Sequence, residues 1–326
     1  MRYIIYGAGG IGGGIGAQLF HHGHEVILIC RGDHLTAIQN RGLTLKTPHR
    51  SLTLNIPAVG HPSHIRFGDQ DVVLLCMKSQ DTEQALCDLY QAADDRLPVV
   101  CAQNGVDNER MAARRFRHVY GMVVWMPGTY LEPGVVLNHA VPIGGILDAG
   151  RYPSGVDGLI TQLTADLSHS GFSAQAEPDI MRWKYTKLLS NIRNALQAAC
   201  GLDARSTAFG RAAQAETRAC YEAAGIAFAP EEELQTRVRS QLTLVEIEGE
   251  PRSGGSSWQS LKRGLPTIEA DFLNGEIALL GQQHGVPTPY NRVLQRIANH
   301  MAATGQAPGS YSVAELQKLV DAEGTG

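Results

Sequence analysis

The chain has 326 residues, 43% of them hydrophobic and 18% charged, with a formal net charge of −4. That length is enough for two domains, and the charge balance offers no basic surface for nucleic acid or an anionic membrane. No apolar run is long enough to cross a bilayer, and the six cysteines show no paired spacing, so a reduced, cytoplasmic protein is expected.

The chain begins with a short apolar run, Tyr3–Tyr6, with no long apolar core of a signal peptide before it. Gly7, Ala8, Gly9, Gly10, Ile11 and Gly12 follow, and then an apolar helix pattern to Phe20 that Gly23 can close. Glu25–Cys30 reads as a second buried strand. A glycine fingerprint between a strand and a helix points to dinucleotide binding. Gly7 permits the tight turn, Gly9 lets backbone approach a pyrophosphate, and Gly12 lets helix pack on strand. The second strand ends at Arg31, where a cation can pair with a 2′-phosphate, which favours NADP; Asp33, two residues on, is the acidic alternative. His21, His22 and His24 cluster near the end of the first helix, where surface histidines are expected rather than a metal site.

Residues 43–59 alternate and predict a small β excursion. Asp71–Met77 suits a parallel strand buried on both faces and ends at Lys78. Thr82–Ala93 predicts a helix, and Pro98–Ala102 the next strand, ending at Gln103-Asn104-Gly105. Polar residues at the carboxyl ends of successive strands, beside a glycine loop, suggest a binding cleft. Residues 118–148 read as further strands, 156–170 as a helix and 172–176 as a last short strand. The expected architecture is α/β: a Rossmann-type doubly wound sheet over 1–178, then an all-α domain over 179–326.

In the second half, residues 182–196 read as one helix with Tyr185, Leu188, Leu189, Ile192 and Leu196 on one face. Lys184, Lys187, Asn191 and Asn194 fall opposite, at three- and four-residue steps. One ammonium donor and two amides are what a keto acid needs: a proton source for the forming alkoxide and neutral donors for the carboxylate. The alternative is a solvated helix face, but Asn is a mediocre helix former. Further helices are expected over 208–224, 231–245, from Pro266 to His284, and from Thr288-Pro289 to Gly305. Residues 246–257 read as a mobile loop. Ser312 and Glu315 form a capping box for a last helix.

These residues, in this order and spacing, resemble the ketopantoate reductase family. The resemblance rests on Gly7–Gly12, Arg31, Lys78, Asn104-Gly105, Lys187 with Asn191, Ser256-Ser257, and Glu269-Ala270-Asp271-Phe272-Leu273-Asn274-Gly275, and runs from near residue 1 to about residue 300. It implies NADPH-dependent reduction of 2-dehydropantoate (ketopantoate) to (R)-pantoate in pantothenate biosynthesis, by a monomer or homodimer. It implies Lys187 as general acid, Asn191 and Ser257 as substrate contacts, Asn104 between cofactor and substrate, and Glu269 ordering the site. Arg31 and Lys78 would reach the cofactor phosphates. Asn194 is a further substrate contact, although some members carry that Asn where this chain has Ala195. Trp258-Gln259-Ser260-Leu261 and Pro266 depart from the family pattern. A related reductase of another 2-oxo acid is therefore the alternative substrate reading. A β-hydroxyacid dehydrogenase would also carry Lys-x-x-x-Asn, but its Gly-rich substrate loop is absent from 104–148. A non-catalytic dinucleotide sensor could dispense with Lys187 and Glu269, and both are present.

Overall fold

A computed structural model describes residues 1–250 and 254–323. The chain divides into two compact units. The first comprises Met1–Gln103, Asp107–Lys184 and Ala229–Arg252, and the second Asn104–Val106, Tyr185–Phe228 and Ser253–Gly326.

In the first unit the elements run β1 (Arg2–Tyr6), α1 (Gly10–His21), β2 (Glu25–Ile29), α2 (Gly32–Arg41), β3 (Leu43–Lys46), β4 (Ser51–Leu54), β5 (Ala58–Val59) and β6 (Asp71–Leu75). They continue with α3 (Thr82–Ala92), β7 (Val99–Cys101), α4 (Asn108–Ala113), β8 (Val119–Trp125), β9 (Gly128–Thr129), β10 (Val135–Asn138), β11 (Ala140–Val141), β12 (Ile146–Arg151) and α5 (Gly158–His169). The main sheet has the order β12-β8-β7-β6-β1-β2-β5. All its strands are parallel except β12, which runs antiparallel to β8. The strand order reverses direction between β1 and β6. Such a switch point opens a crevice at the carboxyl ends of the strands. β6 is buried along its whole length, as expected of a strand covered on both faces. The excursion over 43–59 contributes β3 and β4 to a second sheet, of order β4-β3-β10-β9, while β5 joins the main one.

Residues 172–176 add no strand. They make isolated bridges, Ile146 with Ser173 and Ala149 with Ala176. The ladder is interrupted because the Gln175 amide donates to the Asp148 carboxylate (2.9 Å).

The two compact units are each built from several stretches of the chain. Helix α6 (Ile180–Asn191) runs through the division, and Lys184 is held in the first unit by Glu109. The segment after α8 (Ala208–Ala223) also returns to the first unit. There Arg182 pairs with Glu233, Arg237 Nε donates to Asp148 (2.9 Å), and Lys46 pairs with Glu250. The helix expected over 231–245 is accordingly cut short. α9 (Glu231–Leu234) passes into one π-helical turn, and β13 (Thr243–Leu244) pairs antiparallel with β11.

The second unit is helical. The helix expected over 182–196 is two helices, α6 and α7 (Arg193–Cys200), parted at Ile192. α10 (Ser256–Lys262) begins inside the expected loop, of which residues 251–253 lie outside the described residues. No helix starts at Pro266. Glu269–Phe272 is a single 3-10 turn, the chain bends at Leu273 (φ −115°, ψ −84°), and α11 runs Asn274–His284. Gly285 closes it in the left-handed conformation (φ 69°). α12 (Pro289–Thr304) ends likewise at Gly305. α13 (Val313–Glu323) carries the expected capping box, with Glu315 N donating to Ser312 Oγ (3.2 Å) and Ser312 N to Glu315 Oε2 (2.7 Å). Among the described residues no helix is long and apolar enough to cross a membrane.

Candidate active site

The first unit gathers Gly7–Gly12, Arg31 and Lys78 at one edge of its sheet. They follow β1, β2 and β6, whose ends are in register: Tyr6 pairs with both Ile29 and Leu75. Gly7 has φ +102°, and a Cβ there would lie 2.6 Å from the Met77 amide nitrogen, so no other residue fits the turn without strain. A Cβ at Gly12 would strike the Gly7 carbonyl oxygen. Gly9 differs, since its nearest neighbour would be a Tyr130 ring carbon at 4.0 Å. It is the N-cap of α1, and no side chain caps the helix there. The open face at Gly9 and the first-turn amides form a cradle that fits a pyrophosphate. Arg31 is 85% exposed and touches Asp81 at 3.2 Å. Lys78 precedes the 3-10 turn Ser79–Asp81.

Two sets of residues that the sequence did not single out brace this edge. His34 on α2 is buried. Its Nδ1 accepts from the Gly134 amide (2.9 Å), so its Nε2 carries the proton and donates to the Ala8 carbonyl in the glycine turn (2.7 Å). In a second chain of buried groups, Gln103 donates to Thr82 Oγ1 (2.7 Å), Thr82 to Asn108 Oδ1 (2.8 Å) and Asn108 to Ser79 Oγ (3.2 Å). It ties the turn after Lys78 to the end of β7. Neither set follows a local motif; each joins residues distant in sequence.

In the second unit Asn104 Oδ1 accepts from Lys187 Nζ (2.9 Å) and from Asn191 Nδ2 (3.0 Å). The four-residue step on α6 places both donors on one oxygen. Gly105 has φ +78°, and a Cβ there would lie 2.9 Å from the Phe272 carbonyl. The glycine thus lets the Asn104 loop seat against the turn that carries Glu269. Glu269, Ser257, Asn191 and Asn194 are all buried. Asn194 Oδ1 accepts from Arg205 Nη1 (2.7 Å), and its Nδ2 reaches Ser256 Oγ (3.4 Å), beside Ser257.

Lys184, one turn before Lys187, is not a solvated member of the same polar face. It is buried, pairs with the fully buried Glu109 and reaches the Cys101 carbonyl at 3.4 Å. Burial pushes the Glu109 carboxyl up and the Lys184 charge pulls it back. This cation is committed to the core of the first unit, which leaves Lys187 as the lysine of the Asn104 cluster.

The strand order and the glycine turn at its switch point define a Rossmann-type dinucleotide-binding fold, followed by a helical unit that presents a lysine–amide cluster. The family model described as ketopantoate reductase PanE/ApbA matches residues 3–153, and its C-terminal counterpart matches 179–302. The 2-dehydropantoate 2-reductase of Archaeoglobus fulgidus is 30% identical over 303 residues, covering 90% of this chain and 95% of that protein. That of Pyrococcus horikoshii is 27% identical over 316 residues, covering 94% and 99%. The crystal structure of a PanE/ApbA family ketopantoate reductase from Ralstonia eutropha superposes with a TM-score of 0.78 at 29% identity, over 94% of this chain and 100% of the other. D-mandelate dehydrogenase with NADH and anilino(oxo)acetate shares the fold, with a TM-score of 0.79 at 22% identity over 94% and 100%. The chain belongs to the ketopantoate reductase family.

Proposed function

We propose that this chain is a cytoplasmic, NADPH-dependent reductase of 2-dehydropantoate, making (R)-pantoate for pantothenate biosynthesis. The observation that carries the reading is the convergence of Lys187 and Asn191 on Asn104 Oδ1, in a chain whose near-full-length relatives are 2-dehydropantoate 2-reductases.

The first unit holds the dinucleotide. Gly7, Ala8, Gly9, Gly10, Ile11 and Gly12 cradle the pyrophosphate, and Arg31 and Lys78 meet its phosphates, Arg31 at the 2′ position. When bound, the nicotinamide supplies a hydride to the ketone carbon. The second unit does the rest. The Lys187 ammonium stabilises the negative charge that develops on the ketone oxygen and gives it a proton. Asn104 aims that ammonium. Asn191 and Ser257 hold the carboxylate and hydroxyl of the substrate, and Glu269 orders the site.

A second reading is supported by the departures over 258–266, immediately after Ser257: the same machinery acting on another 2-oxo acid. NADPH consumption by the purified protein across a panel of 2-oxo acids decides between them. Ketopantoate should give the highest kcat/KM. A different acid preferred by an order of magnitude replaces the substrate assignment, and NADPH binding without turnover of any acid makes the chain a sensor.

A further inference from the structure

The break between α6 and α7 is met by side chains from elsewhere in the second unit. Gln214 Nε2 donates to the Leu189 carbonyl (3.0 Å), Arg205 Nη2 to that of Ser190 (3.1 Å) and Asn274 Nδ2 to that of Ile192 (2.9 Å). Carbonyls at a helix end need donors of this kind. Gln214 makes one such bond, whereas Arg205 goes further. Its other terminal nitrogen donates to Asn194 Oδ1 (2.7 Å), and Asn194 in turn reaches Ser256 Oγ (3.4 Å), in the first turn of α10 beside Ser257. The Gly255 amide donates to Gln197 Oε1 (2.8 Å), and a Cβ on Gly255 would lie 3.3 Å from Asn194 Oδ1 and 3.6 Å from Arg205 Nη1, so this turn is seated on α7 and against the pair. One guanidinium therefore joins three pieces: the end of the helix that carries Lys187 and Asn191, the start of α7, and the turn that carries Ser257.

The choice of side chain matters. A planar fork with several fixed N–H donors can meet two acceptors on different elements at once, while a lysine ammonium on a flexible stem has no such geometry. Asn194 acts in this arrangement as the relay between Arg205 and Ser256.

We propose that Arg205 is a positioning residue for the substrate. It sets the register of the Ser256-Ser257 turn against Lys187 and Asn191, so that an acid held at Ser257 presents its ketone to Lys187. The proposal rests on the 2-oxo acid reading above, and its test is arranged to separate the two.

Arg205→Lys, Arg205→Ala and Gln214→Ala are compared with the unmutated protein. Four quantities are measured: steady-state kinetics on the preferred 2-oxo acid, NADPH affinity by fluorescence, Tm, and hydrogen exchange of the amides in 256–262. Arg205→Lys should raise KM by about tenfold to a hundredfold, the scale of a misplaced substrate contact, with kcat much less affected and NADPH affinity unchanged. Exchange in 256–262 should quicken. Gln214→Ala, which removes a carbonyl partner only, should lower Tm and leave KM alone. The proposal is overturned if Arg205→Lys keeps the original KM, or if Gln214→Ala raises KM as much, because then only the helix end is being capped. If Arg205→Ala does not fold, Arg205→Lys carries the test. If the unmutated protein reduces no 2-oxo acid, the functional reading falls. Hydrogen exchange still decides the role of Arg205, and unchanged exchange in 256–262 overturns it.

Discussion

Lys187 and Asn104 lie 83 residues apart in the chain, and the ammonium of one donates to the amide oxygen of the other at 2.9 Å. The amide oxygen fixes where that ammonium points. Lys184, only one turn away, pairs with a buried carboxylate, Glu109.

The two lysines should therefore fail differently. Lys187→Ala should lower kcat by roughly 10²–10⁴-fold, the usual worth of a general acid, with Tm near that of the unmutated protein. Lys184→Ala leaves the Glu109 carboxylate buried without its cation, which costs about 3–5 kcal/mol of stability. Urea unfolding and steady-state kinetics on both variants check this. A Lys184→Ala protein of normal stability would show that the pair is not a structural anchor.

His34→Ala should remove the donor to the Ala8 carbonyl and the acceptor for the Gly134 amide together. Leaving such buried groups unsatisfied costs about 1–3 kcal/mol, and the glycine turn loses its brace. NADPH affinity should fall along with stability, whereas KM for the acid should change little. Dinucleotide titration of the variant gives the answer; unchanged affinity would mean that the turn holds its shape without His34.

Much of this was legible in the sequence. The switch-point sheet follows from glycine, strand and helix signals that are local and strongly periodic, and β1, α1, β2, β6, α3 and β7 stand where those signals put them. The second half was read less well because tertiary contacts decide its breaks. The parting at Ile192 is marked by no proline or glycine in the sequence; its carbonyls are met by Gln214, Arg205 and Asn274, all distant in sequence. Pro266 looked like a helix start, yet the chain delays α11 to Asn274 and inserts the turn that carries Glu269. The return of residues 229–250 to the first unit depends on ion pairs with Arg182, Asp148 and Lys46, which no periodicity announces.

Arg31→Ala should weaken NADPH binding and leave NADH binding nearly unchanged. The side chain is 85% exposed, and Asp81, which it meets at 3.2 Å, is 42% exposed. A solvated pair of this kind holds it only loosely, so the fork remains able to turn to a 2′-phosphate. Losing one charge-assisted contact costs about 1.5–3 kcal/mol, or roughly tenfold to a hundredfold in affinity. Equal affinity of the unmutated protein for NADPH and NADH would remove Arg31 from the cofactor site.

Glu269 gives the most demanding prediction. In a helix beginning at Pro266 it would have been a first-turn charge, and its value would have been that of a favourable helix-dipole contact, about 0.3–1 kcal/mol. The structure removes that explanation. Glu269 lies in a separate four-residue 3-10 turn, buried, with α11 starting only at Asn274. The same turn packs its Phe272 carbonyl against Gly105, next to the Asn104 that receives Lys187. On the proposed function, a buried acidic side chain in a turn seated beside the Asn104 loop accepts hydrogen bonds that fix the ketone near Lys187. Glu269→Gln keeps the shape and removes the charge; Glu269→Ala removes both. Both should lower kcat/KM, Glu269→Ala by about 2–4 kcal/mol, the size of one lost electrostatic or positioning contact. Glu269→Gln should melt close to the unmutated protein. Kinetics and thermal melting on the pair decide the matter: if Glu269→Gln melts several degrees lower yet turns over at the full rate, Glu269 holds the turn together and takes no part in ordering the substrate.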